Sequence, residues 1–347
     1  MTDHPEPLTY AGVGINLTER QHTVTRFRDV AKVAARPEVL SGIGPFAGMF
    51  ALASKYTDPV IVSTTDTVGT KGKIAALVDG YEGLGHDIVN HCINDAFTTG
   101  AEPLFFMDTI VSSDLTPDAK VALVKGVAEA CAAQGIALLG GETADMPGTY
   151  YPGAFDLIGF IVGVVERAKL IDGMSIKAGD LLFGLPSNGL HTNGYTLARA
   201  ALGIGVDGSD PVEARRRLET HNEDLGETLG EALLRPHHCY LRDLNPALPL
   251  IKGMAHITGG GFEENMPRIL PEGLGCRIDK SAWTVPPIFP LIQRAGNIED
   301  AEMYRVFNMG MGMVFAVARS DADALRAALP GALLVGEVTA SPGVDLH

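Results

Sequence analysis

The chain has 347 residues, with 27 Lys plus Arg against 42 Asp plus Glu, a formal charge of -15, 46% hydrophobic residues, 41 Gly and 21 Pro. That length predicts about two domains with a sizeable core, and the composition excludes disorder and a collagen-like chain. The acidic balance excludes a broad surface for nucleic acid, so any phosphate must be handled locally.

From about Pro59, short apolar runs alternate with helix-length amphipathic stretches, which is an α/β pattern. Val60 to Thr65 predicts a strand ending at Asp66. Asp87 to Thr98 predicts a helix with Ile88, Val89, Cys92, Ile93, Ala96 and Phe97 on one face and Gly100 as its stop. Leu104 to Met107 is the next strand. Thr116 and Pro117 open a helix that stops at Gly135, and Ile136 to Leu139 is a third strand. A loop over Gly140 to Gly153 precedes a fourth strand, Asp156 to Val165. The composition turns polar over Arg167 to Asp180, which places a domain boundary near residue 168. Beyond it, Leu181 to Leu185 reads as a strand and Pro186 to Gly194 as a turn-rich segment. Helix patterns follow near 213–234, 262–270, 287–295 and 321–329, with strands near 254–257, 274–279, 312–317 and 332–338.

Cys92, Cys131, Cys239 and Cys276 form no CxxC pair and sit in apolar surroundings, the pattern of reduced cytosolic thiols. The start, Met1 to Glu6, lacks a basic stretch followed by an apolar one. The longest apolar run, Leu157 to Val165, is far shorter than the roughly 20 residues that span a bilayer. A cytoplasmic protein that binds neither membrane nor nucleic acid is the expectation. Arg215 to Arg217, between Glu213 and Glu219, reads as a solvated helix face.

Asp66 stands where a buried strand ends, followed by Thr67, Gly69, Thr70 and Lys71. Open α/β folds put ligands at strand ends. Asp66 there is equally compatible with Mg²⁺ ligation, with Lys71 meeting phosphate charge, and with a turn whose Lys lies on the surface. Neither Lys71 nor Lys73 completes a Walker A loop. On the Asp87 to Thr98 helix, His91, Asn94, Asp95 and Thr98 share the face opposite the apolar stripe; that face is either solvated or aimed at Asp66. Glu142 follows a strand and two glycines, as a third strand-end or helix-face carboxylate or as part of a plain reversal. His191, between Asn188 and Asn193, is a candidate proton donor or acceptor or a turn residue. His256-Ile-Thr-Gly-Gly-Gly-Phe262 leads into a helix pattern whose free amides suit an anion. Ser41 to Gly48, with Gly42 and Gly44, is a weak phosphate-loop candidate.

As a set these segments resemble the phosphoribosylformylglycinamidine cyclo-ligase family, also called aminoimidazole ribonucleotide (AIR) synthetases, of de novo purine synthesis. The matching pieces are Tyr10 to Gly14, Arg36-Pro-Glu38, Thr65-Asp-Thr-Val-Gly-Thr-Lys71, Ile93-Asn-Asp95, Gly100 to Phe106, Gly140-Gly-Glu-Thr-Ala-Asp-Met-Pro-Gly148, Gly189-Leu-His-Thr-Asn-Gly-Tyr195, His256 to Phe262 and Phe307 to Met313. They cover nearly the whole chain.

The resemblance implies a mixed α/β chain. Residues 1–168 would be an ATP- and metal-binding half-barrel domain that pairs across a homodimer, and 169–347 an α/β sandwich domain packed outside. It implies an ATP-dependent ligase that closes formylglycinamidine ribonucleotide to aminoimidazole ribonucleotide through an iminophosphate, with ADP and phosphate released. By motif match Asp66, Asp95 and Glu142 become Mg²⁺ ligands or supports of that site, and Lys71 a phosphate neutraliser. His191, Asn193 and His256 become catalytic or substrate-contacting groups. Gly42, Gly44, Gly48, Thr65, Gly69, Thr70 and the Gly259, Gly260, Gly261 loop become ATP- and phosphate-binding positions, some acting across subunits. Three positions depart from the family pattern: Thr67 stands where Gly is usual, Asp145 where Glu is usual, and Thr192 where Ser is usual. Thr67 bears on the backbone shape beside the metal site.

Relatives of the same fold activate other oxygens. The first cysteine, Cys92, is far from the chain start, unlike selenophosphate synthetase, and the C-terminal residue is His347, unlike the cysteine of the hydrogenase maturation enzyme. A kinase of this fold, and a dimer that senses nucleotide without turnover, remain as alternatives.

Overall fold

The computed structural model describes residues 17–41, 43, 47–206 and 208–347. The expected positions Gly42 and Gly44 and the Tyr10 to Gly14 motif lie outside the described residues.

The first half builds a four-stranded sheet from β1 (Pro59–Thr67), β2 (Glu102–Ser112), β3 (Ala137–Asp145) and β4 (Phe155–Glu166), in the order β1-β4-β2-β3. Helices α1 (Leu17–Ala31), α2 (Lys71–Leu77), α3 (Tyr81–Phe97) and α4 (Pro117–Gln134) accompany it. The stripe of Ile88, Cys92 and Ala96 on α3 packs with Phe106, Ile110 and Ile161 of the sheet and Leu123 and Val127 of α4. α3 and α4 approach so closely that a Cβ on Gly126 would lie 2.0 Å from the Glu82 carbonyl oxygen. The signals read for α4 are realised: the Thr116 hydroxyl accepts from the Ala119 amide, Pro117 occupies the first turn, and Gly135 closes the helix at φ 71.

β3 continues through the segment expected to be a loop, as far as Asp145. It pairs in parallel with β2, from Phe105 opposite Ala137 to Ser112 opposite Asp145. The two glycines removed the apolar signal, but inter-strand hydrogen bonds carry the strand on. α3 also starts six residues before the expected Asp87, because the early turn of Tyr81 to His86 lacks the apolar stripe that marks the rest.

The second half is a six-stranded sheet, in the order β12-β9-β11-β5-β10-β8, plus a short β6–β7 hairpin. Its elements in chain order are β5 (Leu181–Pro186), α5 (Tyr195–Leu202), α6 (Pro211–Glu219), β6 (His221–Asn222), β7 (Glu227–Thr228), α7 (Leu229–Leu234), α8 (Leu241–Leu244), β8 (Ile251–His256), α9 (Gly261–Asn265), β9 (Gly275–Ile278), α10 (Ile288–Gly296), α11 (Asp300–Val306), β10 (Met311–Val317), α12 (Ala322–Ala328), β11 (Leu333–Thr339) and β12 (Gly343–Leu346). β10 is buried throughout and feeds two cores by alternation. Val314 and Ala316 join the core containing Phe262 and Phe289, whereas Met313, Phe315 and Val317 join that of Phe183 and Tyr240. A sheet covered on both faces is the expected sandwich. The single helix pattern read over 213–234 is interrupted by the hairpin, since Asn222 to Gly226 forms a turn with Gly226 at φ 72. The pattern over 262–270 shortens to five α-helical residues before the chain tightens at Pro267.

All four cysteines are free and buried. Among the described residues no helix is long and apolar enough to cross a membrane.

Candidate active site at the junction of the two halves

The polar face of α3 is polar because it docks on backbone. Asn90 donates to the His237 carbonyl at 2.7 Å and Asn94 to that of His238 at 2.8 Å. Asn94 also accepts from the Tyr240 amide, and Asp87 from the His237 amide, both at 2.8 Å. The segment between α7 and α8 has no ladder of its own, so these side chains satisfy its buried amides and carbonyls.

The same face brings His91 to Asp66. His91 Nε2 lies 3.0 Å from Asp66 Oδ2 and 3.4 Å from Asp95 Oδ2, and its Nδ1 lies 2.6 Å from Thr192 Oγ1. Burial opposes a charge on this ring, but hydrogen bonds to the two carboxylates raise its pKa to about 10. Burial alone would raise Asp66 and Asp95, yet the neighbouring imidazoles hold both below the usual carboxylate range. Asp95 in turn accepts from His256 Nδ1 at 2.7 Å. Asp66, His91, Asp95 and His256 border a cavity of about 660 Å³, which Asn193, Thr258, Gly259 and Arg268 also line.

His237, which the sequence reading did not single out, sits behind His256 with 3.1 Å between the two Nε2 atoms and stacks on His191 at 3.9 Å. Its signal was the Pro236-His237-His238 step directly after an apolar helix. His191 adopts φ 63, and both its ring nitrogens are buried without a hydrogen-bond partner. Desolvation depresses the pKa of His191 and of His237 well below that of a free imidazole, so both rings are neutral at neutral pH.

Several expected site residues stand elsewhere. Lys71 departs most from its expected role: it is fully buried, 2.7 Å from Asp87 Oδ2, and donates to the His191 and Arg235 carbonyls at 3.0 and 2.9 Å. Burial lowers the Lys71 ammonium and raises the Asp87 carboxyl, and their mutual attraction opposes both shifts. With its donors engaged, Lys71 joins the two halves instead of meeting phosphate. Glu142 is not beside Asp66. The rows Thr67–Ile158, Ile158–Thr109 and Thr109–Glu142 set them three strands apart, about 14 Å. Glu142 is exposed, 3.4 Å from Arg20, and lines a second cavity of about 670 Å³ with Gly48. Thr65 points to the opposite sheet face from Asp66 and donates to the Gly159 carbonyl. Gly69 and Thr70 border a third cavity beside Asn193.

Of the three loop glycines, Gly259 lines the main cavity. Gly260 faces the Glu264 side chain, and a Cβ on Gly261, at φ 57, would meet the Tyr304 carbonyl oxygen at 1.9 Å. Close packing, more than anion binding, requires glycine at 261. Thr67 has no left-handed backbone; its hydroxyl bonds Asp156 and its amide donates to Asp66 Oδ1 at 2.6 Å. The position therefore accepts a β-branched residue without distortion.

Fold and site together define a two-domain protein of the AIR synthase class. Residues 48–165 match the N-terminal domain, and residues 177–347 the C-terminal domain, of AIR synthase related proteins. The chain is 46% identical over 345 residues to the phosphoribosylformylglycinamidine cyclo-ligase of Desulfitobacterium hafniense, covering 97% of this chain and 98% of that one. It is 45% identical to that of a Thermoanaerobacter species, covering 97% and 99%. The chain belongs to the phosphoribosylformylglycinamidine cyclo-ligase family. The same fold occurs in thiamine-monophosphate kinase from Stenotrophomonas maltophilia, with TM-score 0.66 and 18% identity over 93% of this chain and 94% of that one.

Proposed function

We propose that this chain closes formylglycinamidine ribonucleotide to 5-aminoimidazole ribonucleotide with ATP, releasing ADP and phosphate, as an enzyme of purine biosynthesis. The observation that carries the reading is the meeting of Asp66 and Asp95 with Asn193, Gly259 and His256 around one cavity between the halves. The name carried by relatives 45–46% identical over almost their full length supports it.

An amide oxygen leaves poorly. Transfer of the ATP γ-phosphoryl group to the formyl oxygen gives an iminophosphate; the amidine nitrogen then attacks the formyl carbon and the oxygen departs with phosphate. Both steps depend on positioning and charge neutralisation.

Asp66 and Asp95 offer the hard oxygen donors that suit Mg²⁺, whose chemistry here is neutralisation of phosphate charge. His91 keeps Asp66 ionised, and His256 with His91 keeps Asp95 ionised. His256, held at Nδ1 by Asp95, shapes the cavity wall, with Asn193 and Gly259 as substrate contacts and Arg268 as the cation for its phosphate. Gly69 and Thr70 extend this surface.

Pairing into a homodimer is supported by the sheet face opposite α3 and α4, where Ile61 is 58% and Phe160 44% exposed. Glu142, Thr65 and the Gly42 to Gly48 segment serve a nucleotide site completed across that dimer. The buried free thiols fit a reducing cytoplasm.

The test mixes the full-length protein with ATP, Mg²⁺ and formylglycinamidine ribonucleotide and follows ADP together with the diazo-coupled aminoimidazole. Equal yields of both products are expected. ATP binding with neither product overturns the reading in favour of a sensor or another substrate.

A further inference from the structure

His191, His237 and His256 come from three separate segments, and each offers a ring nitrogen within 4.8 Å of those of the other two. All three are buried at the junction of the halves. We propose that they form a binding site for a borderline divalent transition cation of the Zn²⁺ or Co²⁺ class, separate from the carboxylates of Asp66 and Asp95.

The His237 and His256 Nε2 atoms are already 3.1 Å apart. Two ligands on one tetrahedral ion, each at about 2.1 Å, lie roughly 3.4 Å apart, so this pair needs almost no movement. Their outer nitrogens are oriented as ligating imidazoles usually are. His256 Nδ1 meets Asp95 Oδ1 at 2.7 Å, and His237 Nδ1 lies 3.3 Å from Thr192 Oγ1. In the tautomers in which each Nδ1 donates to oxygen, both Nε2 lone pairs face one another, and a cation between them would satisfy both.

His191 supplies an independent observation. Both its ring nitrogens are buried without a partner, a state that is unfavourable unless something satisfies it. Its backbone is held at φ 63, uncommon for a residue other than glycine, and strain of this kind collects at ligand clamps. The ring stacks on His237 with centroids 3.9 Å apart, and one of its nitrogens already lies within 4.8 Å of those of His237 and His256.

The donor set decides the ion. Three neutral imidazoles suit Zn²⁺, Co²⁺ or Ni²⁺, whereas Mg²⁺ prefers oxygen. Of the three, His256 lines the main cavity, which is the route in for an ion. The other nitrogen and oxygen cluster, His91, Asp95 and His256, is less open to an ion, since His91 Nε2 is engaged by both Asp66 and Asp95.

The test uses full-length protein stripped with chelator, freed of it, and given Co²⁺ in the presence of excess Mg²⁺. About one equivalent of Co²⁺ retained through gel filtration, with the visible absorption of a four-coordinate ion, is expected. His237→Gln should lower retention at least about tenfold and abolish the band, while Asp66→Asn keeps both. Should His237→Gln fail to fold, His191→Gln, at a ring with no bonds to lose, takes its place. The proposal is overturned if the wild type retains no Co²⁺, if Mg²⁺ displaces it, or if a folded His237→Gln or His191→Gln protein binds as the wild type does. Loss in His91→Gln with retention in His237→Gln would place the ion in the other cluster, which also overturns it.

Discussion

His91 on α3 and Asp66 on β1 meet at 3.0 Å, and through that contact a helix face and a strand end become one charged wall. Asp66→Asn keeps an acceptor for His91 but removes a charge. Turnover should fall at least about a hundredfold, as when one electrostatic contact to a reacting phosphate is lost. The thermal midpoint should stay close to that of the parent. Near-normal kcat in the folded variant would remove Asp66 from the metal site.

Lys71 tests the distinction between catalytic and structural lysines. Lys71→Met leaves the Asp87 carboxylate buried without its cation and should cost about 3–5 kcal/mol in urea unfolding. Adding Asp87→Leu should recover much of that loss. A stable Lys71→Met protein whose only defect is a raised KM for ATP would return Lys71 to the phosphate site.

Asp108 is buried on β2 and burial pushes its carboxyl up to about 7, opposed by its own backbone amide. An unfolded Asp titrates near about 3.9, so the folded state binds the extra proton between these values. Stability from this group is complete below about pH 4 and is lost as the pH rises through 7. Asp108→Asn should therefore stabilise the protein by roughly 2–4 kcal/mol at pH 8 and little at pH 4. Equal gains at both pH values would show that the carboxyl does not titrate in this range.

Thr67→Gly should cost about 1–2 kcal/mol, through the lost bond to Asp156 and the looser strand end, with kcat/KM for ATP changed less than about threefold. A large gain in ATP affinity would mean that the threonine side chain obstructs the nucleotide.

Phe160→Asp places a charge at the centre of the uncovered sheet face. If that face pairs two copies, the variant should sediment at half the parent's mass. An unchanged mass would direct the search for the interface elsewhere.

Local chemistry along the chain was enough to determine much of this protein. The Thr116-Pro117 start and the Gly135 stop of α4, and the apolar stripe of α3, rest on contacts within a few residues and need no knowledge of the partner element. Ordered motifs from Thr65 to Met313 likewise carried the family. Tertiary structure alone decided the rest. β3 runs on through Gly140 and Gly141 because β2 supplies its hydrogen bonds. Lys71 and Glu142 both follow strand-end motifs, yet burial against Asp87 encloses one and three strand spacings remove the other from Asp66. The meeting of His91, His191, His237 and His256 across 165 positions of sequence is a matter of which faces pack. Periodicity tells which side of a helix is polar; the element it is polar toward is set only when the two halves close on each other.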